Sequence, residues 1–162
     1  MNYEQYAQNY ALFFENLNIN VTLEEYKEIF IEDVYFEDPF QKTNDIDSLI
    51  NIFSHMYKTL EEPSFKITEA ITKGNISYLR WTFRYKTSKN SKDFQSFIGV
   101  SRVEFTSKGK VSSHIDYWDS GVNIYEKIPL LKHIIKLIKK DGLGRLFLCS
   151  NIKNVNENYS GL

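Results

Sequence analysis

The sequence predicts an α+β fold, with helices first and an antiparallel sheet after them. Three observations carry this. Apolar side chains recur at helical spacing over residues 1–62. From residue 65 they switch to strict alternation, the period of a half-buried strand. No segment long enough for a crossover helix separates the late strands, so a parallel α/β arrangement is not expected.

Tyr3, Tyr6, Tyr10, Phe13, Phe14 and Leu17 lie three and four residues apart, which makes one helix face. Thr22 followed by Glu25 is a capping box that opens a second, short helix with Tyr26, Ile29 and Phe30 as its apolar side. The β-branched and aromatic run Val34-Tyr35-Phe36-Glu37-Asp38 reads as a strand stopped by Pro39. Asp45 caps a third helix whose stripe is Ile46, Leu49, Phe53, Met56 and Leu60, and Pro63 follows its end. Residues 65–71 form the next strand, turned by Lys73-Gly74-Asn75. Residues 76–86 alternate cleanly, with Leu79, Trp81, Phe83 and Tyr85 on one face and Arg80, Thr82 and Arg84 on the other. A polar loop over 87–93 leads to a strand over 94–105, and Lys108-Gly109-Lys110 turns it into a last strand over 111–119.

The expected organisation is one domain over residues 1–128, a basic amphipathic helix with its extension over 129–148, and a polar tail over 149–162. In the segment Leu130 to Lys140, Leu131, Ile134, Ile135 and Ile138 oppose Lys132, Lys136 and Lys140. Such a helix docks on the domain or its twin, or lies on a membrane surface.

With 162 residues, 42% hydrophobic and 25% charged, the chain has ordinary globular composition, and a chain of this length buries a full core. Its longest uncharged apolar run falls far short of a membrane span, and no secretory signal opens it. The single cysteine, Cys149, has no internal disulfide partner and points to a reduced, cytoplasmic protein. The apolar neighbours Leu146, Phe147 and Leu148 make it a poor nucleophile. The net charge of −1 hides an asymmetry: residues 1–62 carry 13 acidic and 3 basic side chains, and residues 63–162 carry 8 and 17. The basic side chains are spread over strands and turns rather than gathered into one footprint, so no nucleic-acid partner is expected. His55, His114 and His133 are scattered, which predicts no metal site, and Gly142-Leu143-Gly144 lacks the pattern of a phosphate loop, so no cofactor is expected.

The last strand is the most informative segment. His114, Asp116 and Trp118 alternate, so all three project from one sheet face. An imidazole, a carboxylate and an indole facing the stripe of Leu79, Trp81 and Phe83 describe the wall of a pocket. An apolar pocket makes a carboxylate a better proton acceptor near neutrality, and a neighbouring imidazole can relay the proton. The alternative is a structural His114–Asp116 pair. Asp38 is a second candidate: it shares a face with Phe36, yet an aspartate before Pro39 also serves as a turn residue.

The element order, the acidic-Asp38-Pro39 context, and Gly109-Lys110-Val111 leading to Asp116-Tyr117-Trp118-Asp119 resemble the nuclear transport factor 2-like superfamily. This is the fold of ketosteroid isomerase and of SnoaL-like cyclases, and the resemblance spans roughly residues 3–127. It implies a cone-shaped, strongly curved antiparallel sheet packed on three N-terminal helices, with the C-terminal amphipathic helix beyond it. It also implies a homodimer formed through the open sheet face, with Arg80, Thr82 and Arg84 near the interface. Asp38 matches the isomerase's general base. Phe13 falls near the isomerase's oxyanion-hole tyrosine and Ser101 at its protonated aspartate, so both strong donors are lost. That argues against steroid isomerisation, because a dienolate needs such donors. SnoaL-like cyclases carry an acid-base aspartate on a late strand, which transfers the chemistry to Asp116 with His114 and Trp118.

The expected cavity is therefore lined by Phe13, Asp38, Leu79, Trp81, Phe83, Ser101, Val103, His114, Asp116 and Trp118. The catalytic candidates are Asp116, His114 and Asp38. The expected function is binding of a small hydrophobic molecule, with cofactor-free isomerisation, cyclisation or hydration. The alternative is a non-enzymatic accessory or lipid-ligand-binding protein that docks on a partner or membrane through Leu130 to Lys140.

Overall fold

The helices begin where their caps place them. In the computed structural model, which describes residues 1–127 with 131, 132 and 135, the Asn2 side chain accepts from Gln5 N at 3.1 Å and opens α1, Tyr3–Asn16. The Thr22–Glu25 capping box opens α2, Leu23–Ile29. Asp45 accepts from Ser48 N at 2.7 Å and opens α3, Ile46–Thr59. Each helix buries part of the stripe its spacing predicts: Tyr10 and Phe14 from α1, with Ala7 beside them, Tyr26 from α2, and Ile46, Leu49 and Phe53 from α3.

Among the described residues there are six strands: β1 Phe30–Glu37, β2 Lys42–Thr43, β3 Glu61–Lys73, β4 Ile76–Lys86, β5 Gln95–Phe105 and β6 Val111–Trp118, of which the two-residue β2 was not expected from the sequence. They form one sheet in the order β2-β1-β6-β5-β4-β3. The meander β3 to β6 is antiparallel, as its short turns require.

The sheet as a whole is mixed, which corrects the expectation of a purely antiparallel one. β1 pairs with β6 in parallel, Phe36 opposite His114 and Glu37 opposite Ile115. The sequence pattern does not report this, because side chains alternate with period 2 whichever way the neighbouring strand runs. β3 also starts four residues earlier than residue 65 and contains Pro63. A proline is tolerated there because β3 is the sheet's edge.

Residues Met1–Trp118 form one unit, and α1, α2 and α3 cover one face of its sheet. Between them lies a core that includes Tyr10, Phe14, Phe30, Phe36, Leu79, Val103 and Phe105. Trp81, Phe83 and Tyr85 make a second cluster on the same sheet face, with Phe65 and Phe97 against it. From Asp119 the chain belongs to a second unit. There the Asp119 side chain accepts from Val122 N at 2.9 Å and caps a short α4, Ser120–Asn123, followed by a 3-10 turn at Tyr125–Lys127. Leu131, Lys132 and Ile135 are helical, and the rest of the expected amphipathic helix and tail lies outside the described residues. Among the described residues no helix is long and apolar enough to cross a membrane.

Candidate functional site

Strand register brings the site together. On the helix-covered face, Trp81, Gly99 and Trp118 form one row across β4, β5 and β6, and Leu79, Ser101 and Asp116 form the next. His114 lies opposite Val103 on β5 and Phe36 on β1. The three candidates on β6 share a face, and their burial falls along the strand. His114 is 1% exposed, the Asp116 side chain is 10% exposed, and Trp118 sits half-buried at the strand's end.

His114 is wedged between Phe14 and Phe36, with ring centroids 5.4 and 5.3 Å away. Both ring nitrogens have partners: Nδ1 lies 2.5 Å from the Tyr10 hydroxyl and Nε2 lies 2.8 Å from Asp116 Oδ1. The same Oδ1 accepts from the Ser101 hydroxyl at 2.5 Å, and Ser101 Oγ accepts from the Trp81 indole N–H at 2.8 Å. Five side chains from four elements thus form one continuous buried chain, Tyr10–His114–Asp116–Ser101–Trp81. Burial, followed by the Asp116 charge and then Tyr26, pushes the Tyr10 phenol well above its ordinary range, so it remains a proton donor.

Asp116 closes the chain and also lines a groove of about 270 Å³, together with Glu37, Asp38, Pro39, Ile115, Tyr117 and Trp118. The groove opens where β1 ends at Glu37, ahead of Pro39, while β6 runs on to Trp118. Trp118 holds Phe40 edge-on at 5.2 Å and leans on Phe97 at 4.8 Å. Asp38 lines the groove, but its carboxylate also serves a turn. It accepts from Phe40 N at 2.7 Å, Gln41 N at 3.0 Å and Gln41 Nε2 at 3.3 Å. The Glu37 carboxylate is engaged by the Tyr35 hydroxyl. Among the described residues no cluster of three or more His, Cys, Asp or Glu side chains is arranged to hold a metal.

The ten residues expected to line a cavity divide three ways. Asp38, Asp116 and Trp118 line the groove. His114, Ser101 and Trp81 stand behind it and connect through Asp116. Phe13, Leu79, Phe83 and Val103 make packing contacts: Phe13 lies against Tyr26 and Phe30, Leu79 and Val103 belong to the main core, and Phe83 stacks with Tyr85 and Phe65. An alternating stripe reports which face is covered; it does not report whether protein or open space covers it.

Sequence reasoning missed Tyr10, Glu37, Pro39, Ile115 and Tyr117. A signal for Tyr10 was present. It is a tyrosine in the middle of an otherwise apolar helix stripe, and a buried phenol hydroxyl requires a polar partner inside.

The comparisons bear on the fold. No curated protein matches the chain. Among solved structures, a hypothetical protein with a ketosteroid isomerase-like fold from Catenulispora acidiphila, solved with trimethylamine, is similar at 12% identity and a TM-score of 0.61, covering 74% of this chain and 89% of its own. A candidate SnoaL-like polyketide cyclase from Jannaschia sp. CCS1 is similar at 10% identity and 0.61, covering 72% and 86%. A candidate isomerase of the SnoaL-like family from Agrobacterium tumefaciens is similar at 13% identity and 0.59, covering 73% and 97%. At these identities the likenesses establish the fold alone. The family description of the SnoaL-like domain matches residues 11–114, well over half of the chain, and with it the chain belongs to the SnoaL-like domain family.

Proposed function

We propose that the protein binds a small organic molecule in the groove beside Trp118 and that Asp116 exchanges a proton with it, without a cofactor, in an isomerisation, cyclisation or hydration. One observation carries this reading. Asp116 is nine-tenths buried, and both of its donors sit on Oδ1, while Oδ2 has no partner among the described residues. Among the described residues no fully buried polar side-chain atom lacks a partner, so Oδ2 is reachable from outside, and the groove is an open space that Asp116 lines. A carboxylate oxygen open to a groove with an aromatic wall is the equipment for general acid-base work.

Size and charge narrow the ligand. About 270 Å³ is at the lower edge of small-molecule sites, which suits a compact molecule better than a steroid. The lining contains Glu37, Asp38 and Asp116 and no lysine or arginine, with Trp118 and Tyr117 as aromatic walls. Carboxylates with aromatic faces favour a protonated amine over an anion. The trimethylamine held by the Catenulispora relative fits the same chemistry.

The test is deuterium uptake at the α-carbon of two compact ketones, the cationic dimethylaminoacetone and the neutral cyclohexanone. The wild-type chain is expected to accelerate exchange of the first more than the second. Asp116→Asn should lose on the order of 100-fold or more, the usual worth of a general base, while its melting temperature stays within a few degrees. Wild-type exchange rates in Asp116→Asn would remove Asp116 from the mechanism. The proposed assembly is a homodimer through the sheet face opposite α1, α2 and α3.

A further inference from the structure

Tyr10 is a buried titratable side chain for which the mechanism above has no use, yet it ends the chain that reaches Asp116. The direction of every hydrogen bond in that chain follows from donor counting. Trp81 Nε1 can only donate, so Ser101 Oγ accepts from it and sends its single hydrogen on to Asp116 Oδ1. On the other side, His114 has three possible forms. If only Nδ1 carried the proton, the bare Nε2 would face a carboxylate oxygen 2.8 Å away, lone pair against lone pair. If both nitrogens carried protons, Nδ1–H would donate to the Tyr10 oxygen, and the Tyr10 hydrogen would have no acceptor among the described residues at a site 2% exposed. A buried donor without an acceptor is costly. Only the Nε2–H form gives every polar hydrogen an acceptor.

We propose that Tyr10 is a positioning residue for Asp116: by donating to Nδ1 it holds His114 with Nε2–H turned to Asp116, which with Ser101 secures Oδ1 and leaves Oδ2 as the oxygen of Asp116 open to the groove. This rests on the groove reading above for its consequence, but not for its tautomer. When Oδ2 takes a proton from a bound molecule, the C–H bond breaks and its electron pair remains on the ligand carbon. Both donors to Oδ1 stay in place, so the carboxyl group does not rotate between the ionised and protonated states. The reverse transfer returns the proton from the same oxygen.

The test uses the full ¹⁵N-labelled chain and long-range ¹H–¹⁵N spectra at neutral pH, with His114 assigned by separate substitution of His55 and His133. The expected wild-type spectrum shows His114 protonated at Nε2 and bare at Nδ1, with a slowly exchanging Tyr10 hydroxyl proton in through-space contact with the ring. In Tyr10→Phe, Nδ1 loses its donor, so its resonance moves downfield while Nε2 stays protonated against Asp116. A wild-type His114 protonated at Nδ1, or at both nitrogens, overturns the proposal, as does a Tyr10→Phe ring spectrum identical to wild type. Because the wild-type spectrum decides the tautomer alone, a poorly folded Tyr10→Phe does not remove the test. In the dimethylaminoacetone exchange assay, Tyr10→Phe is expected to lower kcat about ten-fold with KM nearly unchanged, since a misplaced reacting atom costs up to ~100-fold. Unchanged kcat with the expected wild-type tautomer also overturns the positioning role. Absence of exchange in the wild type would instead overturn the groove reading and leave the tautomer assignment standing.

Discussion

At the scale of single residues, Gly99 has as much influence on the site as the groups with chemistry. It sits between Trp81 and Trp118 in their row across the sheet, and a Cβ built there would lie 2.2 Å from the Trp81 ring. The missing side chain is what lets the indole lie flat across β5 and point its N–H at Ser101. Gly99→Ala should therefore displace a rigid ring, at a cost of about 1–3 kcal/mol for overpacking. Ser101→Ala should cost a similar ~1–3 kcal/mol, because it orphans the Trp81 N–H in the interior. Both substitutions act through the same hydrogen bond, so urea denaturation of the double variant should show less than the sum of the single losses. Strict additivity would mean that Trp81 keeps its partner in Gly99→Ala and that the glycine has no bearing on the chain.

At the scale of elements, the Thr22 and Asp45 caps and the antiparallel meander were legible, and the β1–β6 pairing was not. Asp45 carries the third helix, and its backbone bond from Ser48, with further bonds from the Ser48 and Thr43 side chains, holds its carboxyl below the usual carboxylate range. A depressed folded value stabilises above the unfolded value, and that stabilisation is lost as pH falls through the folded one. Asp45→Asn keeps the cap but removes the titration. Between about pH 5 and pH 2 the wild type should lose melting temperature faster than Asp45→Asn, and parallel curves would show that the cap bond does not depend on charge. Caps are legible because they are local: a side chain two or three residues from the amide it serves is written into the sequence. β4 was equally legible over Ile76–Lys86, since one strict alternation marks both of its ends. The parallel β1–β6 pair was not, because its partners are about 78 residues apart, His114 against Phe36, and alternation carries no direction. The groove was half legible for the same reason. The shared face of His114, Asp116 and Trp118 follows from spacing. The end of β1 ahead of Pro39, which opens the space beside Asp116, becomes a site only once β1 lies next to β6.

At the scale of the whole molecule, the face of the sheet without helices is what the first 118 residues leave unused. Arg80, Thr82 and Arg84 on β4 alternate with buried neighbours and point to that face. Register places Ile98 opposite Thr82, and Tyr117 opposite Val100, on the same face, and Ile98 and Tyr117 are 51% and 55% exposed. Isolated exposed apolar side chains are ordinary, but neighbours on one sheet face are the material of a self-complementary contact. In the proposed homodimer these residues meet their own copies across a two-fold axis, and the arginines between them form the polar rim. Sedimentation at micromolar concentration should find a dimer for the wild type and a monomer for Ile98→Glu, because a charge placed at the centre of a two-fold contact confronts its own copy. The far-ultraviolet circular dichroism should be unchanged, since Ile98 has no role in the core. Tyr117 belongs both to this face and to the groove lining, which couples assembly to the site. Ile98→Glu should accordingly weaken dimethylaminoacetone exchange without touching any member of the Tyr10–Trp81 chain. A wild type that sediments as a monomer removes the dimer, and a monomeric Ile98→Glu with full exchange separates the groove from assembly.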